Sequence, residues 1–364
     1  MKPPVKGEPA KHGGAKKPSS TGQLSKKYSR KKPECRVYYT MKITEHISQV
    51  RLGQPQRHAD ISIFPLFDER QSDLPYQTMD PSLMQGDLEI NEISQGGEVP
   101  LLEANNLVNH FILLLDSEEI KGAKQNRVLN TSILLPRKKR TTIPVSCTEA
   151  GRWAYASTSF QPSGNMMPKA ARTRKMKSVT TYTASVAAAC EAGIPAPPPV
   201  CCYASNQSEV WEDVACLQTK TSTHSSTSAM SDVYEAMRDK VDHFTDQFEL
   251  LPGQRGILVT KNGEIMGLDL LSQPDAYAEL HRKIIGSYVM DSAVDEGTPY
   301  GLVKDEGPLA KSFLEELAAT EGEAHESAGE GIDVRYDAPT LSGTALMHDD
   351  QLIHASFLRP EPQS

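Results

Sequence analysis

Cations, side-chain amides, a carboxylate and a thiol crowd into two short stretches, Lys124-Gln125-Asn126-Arg127 and Ser146-Cys147-Thr148-Glu149 with Arg152 close behind. Guanidinium groups match the bidentate geometry of phosphate, and amides can read ribose hydroxyls or base edges. Lys124, Gln125, Asn126, Arg127, Asn130 and Arg152 are therefore the candidate ligand-binding residues, for a small phosphate-bearing, nucleotide-like ligand. Glu149 is the candidate general base, and Glu118, Glu119 and Asp269 could add carboxylates, or hold a divalent cation, if folding makes them converge. Arg172, Arg174, Lys175 and Lys177, on an expected helix, offer a second anion site; the blander reading is a solvated helix face. Cys147 has the type of a nucleophile, but a thiol facing an apolar core has its pKa raised, so a structural cysteine is favoured.

These side chains need a scaffold, and residues 124–153 read as a hairpin. With 136–140 as the turn and Leu135 opposite Thr141, alternation puts Leu129, Thr131, Ile133, Ile143, Val145 and Cys147 on one apolar face. The same register sets Arg127 against Glu149 within salt-bridge reach where that face stops, with Leu129 beside Cys147. An ordinary cross-strand ion pair would contribute only roughly 0.2–1 kcal/mol. The density of amides, which are poor strand formers, points instead to a site.

Gly122-Ala-Lys-Gln-Asn-Arg127, Ile143-Pro-Val-Ser-Cys147, Glu149, Gly151-Arg-Trp153, Ser208-Glu-Val-Trp-Glu-Asp-Val214, Met230-Ser-Asp-Val-Tyr234, Pro252-Gly-Gln-Arg-Gly256 and Gly267-Leu-Asp-Leu-Leu271 form a series of separated motifs over about residues 60–358. In these the chain resembles a poorly characterised family named for its association with ADP-ribosylglycohydrolases and rhodanese-type phosphatases. The resemblance implies a place in ADP-ribose or nucleotide metabolism and supplies no reaction. Thr148 and Ala150 depart from the Val and Gln expected around Glu149.

Other chemistries lack their motifs. No GxSxG elbow, HExxH helix, GxxxxGK loop or GxGxxG turn occurs. The six cysteines form no CxxC pair, which speaks against structural zinc and for free thiols in a reducing compartment. The residues name no cofactor and no metal. Residues 1–33 hold ten Lys/Arg against the single acid Glu8, a balance of +9 within a net charge of −8, so the remainder carries −17. Such an acidic body argues against nucleic acid as its partner, since phosphate backbones are held by clustered cations. No apolar run is long enough for a membrane span or a secretory signal, so a soluble intracellular protein is expected, cytoplasmic, or nuclear through the basic Lys26–Lys32. The competing reading is a non-catalytic interaction protein whose basic tail and acidic body dock onto separate partners.

The expected order is α+β, mostly antiparallel β in the N-terminal half followed by helices and hairpins. A disordered basic tail covers 1–56 and one domain covers 57–358, β-rich over 57–153 and helix/hairpin over 154–358. Strands are expected at 86–93, 98–104, 110–116, 126–135 and 141–148. Helices should cover Val210–Leu217, Val233–Phe248, the stretch from Pro274, and Leu309–Leu317. Asn262-Gly263 and Asp349-Asp350 mark hairpin turns. The Pro-rich 184–203 reads as a surface loop and the acidic 319–331 as mobile. The scattered histidines, His243, His348 and His354 among them, read as surface or capping residues.

Overall fold

Ile61–Phe67, with the sequence Ile-Ser-Ile-Phe-Pro-Leu-Phe, is apolar on both faces, and such a strand is stable only with both faces covered. It pairs with Gly256–Lys261 on one edge and with Arg51–Leu52 and Gln56–His58 on the other. The sheet continues through Glu264–Leu271, Gln351–Leu358, Leu341–His348, Ile332–Ala338 and Glu323–Glu326, antiparallel throughout. This is a computed structural model, which describes residues 33–70, 72, 74–94, 96, 99–294 and 305–360. Alternate side chains feed two cores. Ile61, Ile63, Ile257 and Val259 join the helix Pro274–Val294 on one side; Phe64, Leu66 and Leu258 meet Ile43, Ile47, Ala310, Phe313 and Leu317 on the other.

The middle of the chain builds two further sheets around a third core. One has the order Phe160–Met166, Glu118–Gly122, Arg127–Leu129, Arg140–Cys147, Leu101–Asn106, Leu88–Glu92; the other runs Ile133–Leu135, Phe111–Leu114, Tyr76–Thr78. All pairs are antiparallel except Tyr76–Thr78 with Phe111–Leu114. The chain is α+β, with antiparallel strands dominating its first half. No helix among the described residues is long and apolar enough to cross a membrane.

Several expectations are corrected. Residues 1–32 of the expected tail lie outside the described residues, but Pro33–Ser48 is a helix, with Ile43 and Ile47 buried against the helix Gly307–Ala319. The expected boundary at 57 thus falls inside folded structure. Residues 184–191 continue the helix Lys169–Glu191, and Pro199–Cys202 forms a 3-10 turn, leaving 192–198 and Tyr203 irregular within the expected loop. The acidic stretch contains the strand Glu323–Glu326, and the Glu330 N–H donates to the Leu134 carbonyl at 2.9 Å. The expected helix over 233–248 is two, Met230–Ala236 and Arg238–Thr245.

The hairpin register is two residues off. Leu129 faces Val145 and Arg127 faces Cys147, while Ile133–Leu135 leaves for the other sheet and Arg140–Pro144 pairs with residues 101–105. The break falls at Asn130-Thr131-Ser132. Their side chains bond to the Tyr203 carbonyl, Asp333 and His354, partners unavailable to a continuous ladder. Where Arg127–Leu129 and Val145–Cys147 still pair, a shift of two leaves each side chain on its expected face.

Candidate functional site

Strand Arg127–Leu129 brings the four residues before it alongside the end of strand Arg140–Cys147, so Lys124, Gln125, Asn126, Arg127, Cys147, Glu149 and Arg152 do meet. The segment after Cys147 is stitched across to 227–230: Gly151 N–H donates to the Thr227 carbonyl at 2.7 Å and Met230 N–H to that of Thr148 at 2.9 Å. Arg152 grips Glu149 with two parallel bonds of 2.8 and 2.6 Å, and the Asn126 N–H donates to the same carboxylate at 3.0 Å. Gln125 Nε2 donates to the Glu149 carbonyl, and Asn126 Nδ2 to Ser231. Asn130 is tied to Tyr203 and Ser146.

The expected Arg127–Glu149 pair does not form, because Arg152 occupies the carboxylate. Arg127, wholly buried, instead has Glu92 at 3.8 Å, the Gln125 side-chain oxygen at 3.3 Å and the Asn126 carbonyl at 3.4 Å. Its Nε and Nη2 have no hydrogen-bond partner. Burial lowers the guanidinium below its ordinary value, opposed by Cys147 and Glu92. The Trp153 ring lies 5.9 Å from the guanidinium carbon. Lys124 Nζ sits 5.1 Å from that ring and 5.3 Å from Tyr155, and both aromatics are about half exposed (48% and 52%).

Titration separates the candidates. Burial pushes the Glu149 carboxyl up, but the Arg152 and Thr227 hydrogen bonds prevail and hold it low, an ionised carboxylate with its lone pairs engaged. Burial pushes the Cys147 thiol up to about 11, and its proton is given to Gln125 Oε1 at 3.1 Å. Cys147 is therefore expected to resist iodoacetamide in the native protein at pH 7.5 while exposed Cys216 reacts, as read by peptide mapping. Alkylation of both at similar rates would show an activated, accessible Cys147.

The secondary candidates lie elsewhere. On the helix Lys169–Glu191, Arg174 and Lys177 face solvent, Arg174 paired with Asp213, whereas Arg172 and Lys175 are buried. The run is neither a solvated face nor one anion site. Arg172 holds Asp269 at 2.8 and 3.2 Å, and Lys175 holds Asp116 at 2.5 Å. Arg335 holds Asp333 at 2.8 Å. Three cations thus balance three carboxylates inside the protein. His354, expected at the surface, is fully buried and bonded to Ser132 at 2.9 Å. Sequence reasoning flagged Asp269 as needing a partner and missed Asp116, Asp333, Arg335 and His354; nothing local marks them. Glu118 pairs with Lys283, apart from Glu119, which bonds Thr148. Among the described residues no group of three or more His, Cys, Asp or Glu is placed to hold a metal. None of Lys124, Arg127 and Glu149 lines the cavity of about 470 Å3 that opens beside the strand Phe160–Met166.

Residues 49–358 match the family model described as the ARG and Rhodanese-Phosphatase-superfamily-associated Protein domain. No curated protein matches the chain, and no solved structure does.

Proposed function

We propose, from the premise that the chain belongs to the ARG and Rhodanese-Phosphatase-superfamily-associated Protein family, that it binds a phosphate-bearing, nucleotide-like ligand such as ADP-ribose at the hairpin end. The observation that carries this reading is the Arg127 guanidinium, buried with no hydrogen-bond partner at Nε or Nη2 and with Glu92 no nearer than 3.8 Å. A buried cation so poorly satisfied costs stability and is relieved by an anion. Lys124 supplies a second charge, and Trp153 and Tyr155 are exposed faces on which a base can stack. The ligand reaches Arg127 by displacing the Trp153 ring. Lys124 and Arg127 touch the phosphate; Gln125, Asn126, Asn130 and Arg152, already bonded within the protein, are positioning residues. So is Glu149, whose carboxylate keeps Arg152 and the 149–153 segment in place.

The test is calorimetric titration with ADP-ribose, ADP and AMP. Arg127→Met should lose at least about thirtyfold in affinity, since truncating one partner of a buried charge pair costs roughly 2 kcal/mol or more. Its melting temperature should fall, because Glu92 is left buried without its counter-charge, while the variant remains folded at the temperature of the titration. In a Trp211→Phe background, ligand should change the fluorescence of Trp153. Unchanged affinity in Arg127→Met, or no heat with any of the three nucleotides, would overturn the reading.

A further inference from the structure

A cavity of about 470 Å3 opens between the strand Phe160–Met166 and the helices Met230–Ala236, Arg238–Thr245 and Pro274–Val294, with Lys121 at its edge. No hairpin-end candidate lines it. Strand Phe160–Met166 breaks register against Glu118–Gly122 between Pro162 and Met166, and Gly164 takes a left-handed φ of 79° there. Such bulges re-aim side chains next to functional sites. Here the bulge residues Ser163, Gly164 and Asn165 form part of the cavity wall.

Directly behind that wall is a carboxyl group. Glu119 shares a strand face with Lys121, is fully buried, and accepts from the Thr148 hydroxyl at 2.8 Å and the Asn165 amide at 3.5 Å. Opposite it across the strand pair is apolar Val128. Among the described residues no cation is within ion-pair reach. Burial pushes the Glu119 carboxyl up to about 7; hydrogen bonds from Thr148, Ser163 and Asn165, and the charge of Lys121, pull the other way. The remaining charges around the cavity are mostly matched: Arg238 with Glu235, Arg282 with Asp242, Lys283 with Asp80 and Glu118, while Asp232 accepts from Ser225. Lys121 has no ion pair among the described residues. The cavity thus offers one unmatched cation, hydroxyl and amide groups, and a protonatable carboxyl one layer behind.

We infer that this cavity is a second ligand site, independent of the hairpin end, which takes a small hydroxyl-bearing phosphate ester on Lys121 and takes up a proton at Glu119 as the ester binds. The anion contacts Lys121, its hydroxyls meet Ser163, Ser231 and Asp232, and the added negative charge favours the protonated carboxyl of Glu119.

The experiment titrates ribose 5-phosphate, and separately sulfate, which does not change charge over the range, into the full chain at pH 6 and pH 8.5. Wild type should bind both, with affinity falling on the order of tenfold at the higher pH, the equivalent of about one pKa unit at Glu119. Glu119→Gln should lose that fall for sulfate, and Lys121→Ala should lose binding. Arg127→Met should bind as wild type, which separates failure here from failure of the hairpin reading. A folding control is built in. The folded carboxyl prefers its proton, so its stability is whole below the ordinary carboxylate range and is lost as pH rises through about 7. The melting temperature of wild type should therefore fall between pH 5.5 and 8 more than that of Glu119→Gln. Absence of binding, a pH dependence retained for sulfate in Glu119→Gln, or wild-type affinity in Lys121→Ala would each overturn the inference.

Discussion

Asp269→Asn is expected to lower the unfolding free energy by about 3–5 kcal/mol, the range for breaking a buried ion pair by removing one partner. Asp269 is fully buried, accepts from both terminal nitrogens of Arg172 and from the Tyr288 hydroxyl at 2.8 Å, and has His354 Nε2 at 3.7 Å. Burial alone would push its carboxyl up; the Arg172 guanidinium and then His354 more than offset this and hold it well below the usual carboxylate range. The amide keeps the shape and leaves Arg172 charged in the interior. Urea unfolding at pH 7 should show a lower midpoint with an unchanged slope. Because the folded pKa is depressed, the wild-type contribution is present above the ordinary Asp value of 3.8 and is lost as pH falls below it, so variant and wild type should converge in acid. A loss under about 1 kcal/mol at pH 7 would mean that Arg172 finds another partner. The double variant Asp269→Leu with Arg172→Met should recover much of the loss, since charge and countercharge leave together.

Gly256→Ala should also be strongly damaging, costing about 3 kcal/mol or preventing folding, at the upper end of overpacking costs. Gly256 lies between Leu66 and Leu270 in the large sheet, and a Cβ there would stand 2.2 Å from the Asp269 carbonyl oxygen and 2.9 Å from the Leu270 Cα. Both are backbone atoms of the neighbouring strand, so no rotamer change relieves the clash. Gly253, three residues earlier, is the control: at φ 75° with nothing within 4 Å of its Cβ, it should cost only about 1 kcal/mol when changed to Ala, the strain of a left-handed backbone. Equal losses at the two positions in thermal melts would show that backbone conformation, and not the close approach of the strands, sets the requirement for glycine at 256.

The hairpin at Asn262-Gly263 was legible because its turn chemistry is local, and the meeting of Lys124, Arg127, Glu149 and Arg152 was legible because two adjacent strands suffice to produce it. The exit of Ile133–Leu135 into another sheet was not. Leu129, Thr131 and Ile133 alternate as a single strand would, and the partners that pull Asn130, Thr131 and Ser132 away lie 73, 202 and 222 residues distant. The inward face of Lys169–Glu191 left a usable trace: Arg172, Lys175, Met176, Val179, Thr180 and Thr183 recur at helical spacing, so the charged pair belonged to the stripe that packs. Glu119 left no trace beyond its type, since its setting comes from Thr148 and from a bulge formed by a third strand.

The large sheet also dictates an order of events during synthesis. Phe67 leaves the ribosome well before Gly256 begins the strand that covers it, an interval of roughly 10–40 s at 5–20 residues per second. Thr40 and Thr44 wait longer still, for the carbonyls of Gly322 and Ala318. The middle segment, whose six-stranded sheet is complete by Met166, can assemble while the edge of the 61–67 strand that takes Gly256–Lys261 remains unpaired. Ribosome-stalled chains ending before residue 256 should therefore expose the 61–67 strand to proteases and holdase chaperones, and a slow decoding stretch in the message would lengthen that vulnerable interval.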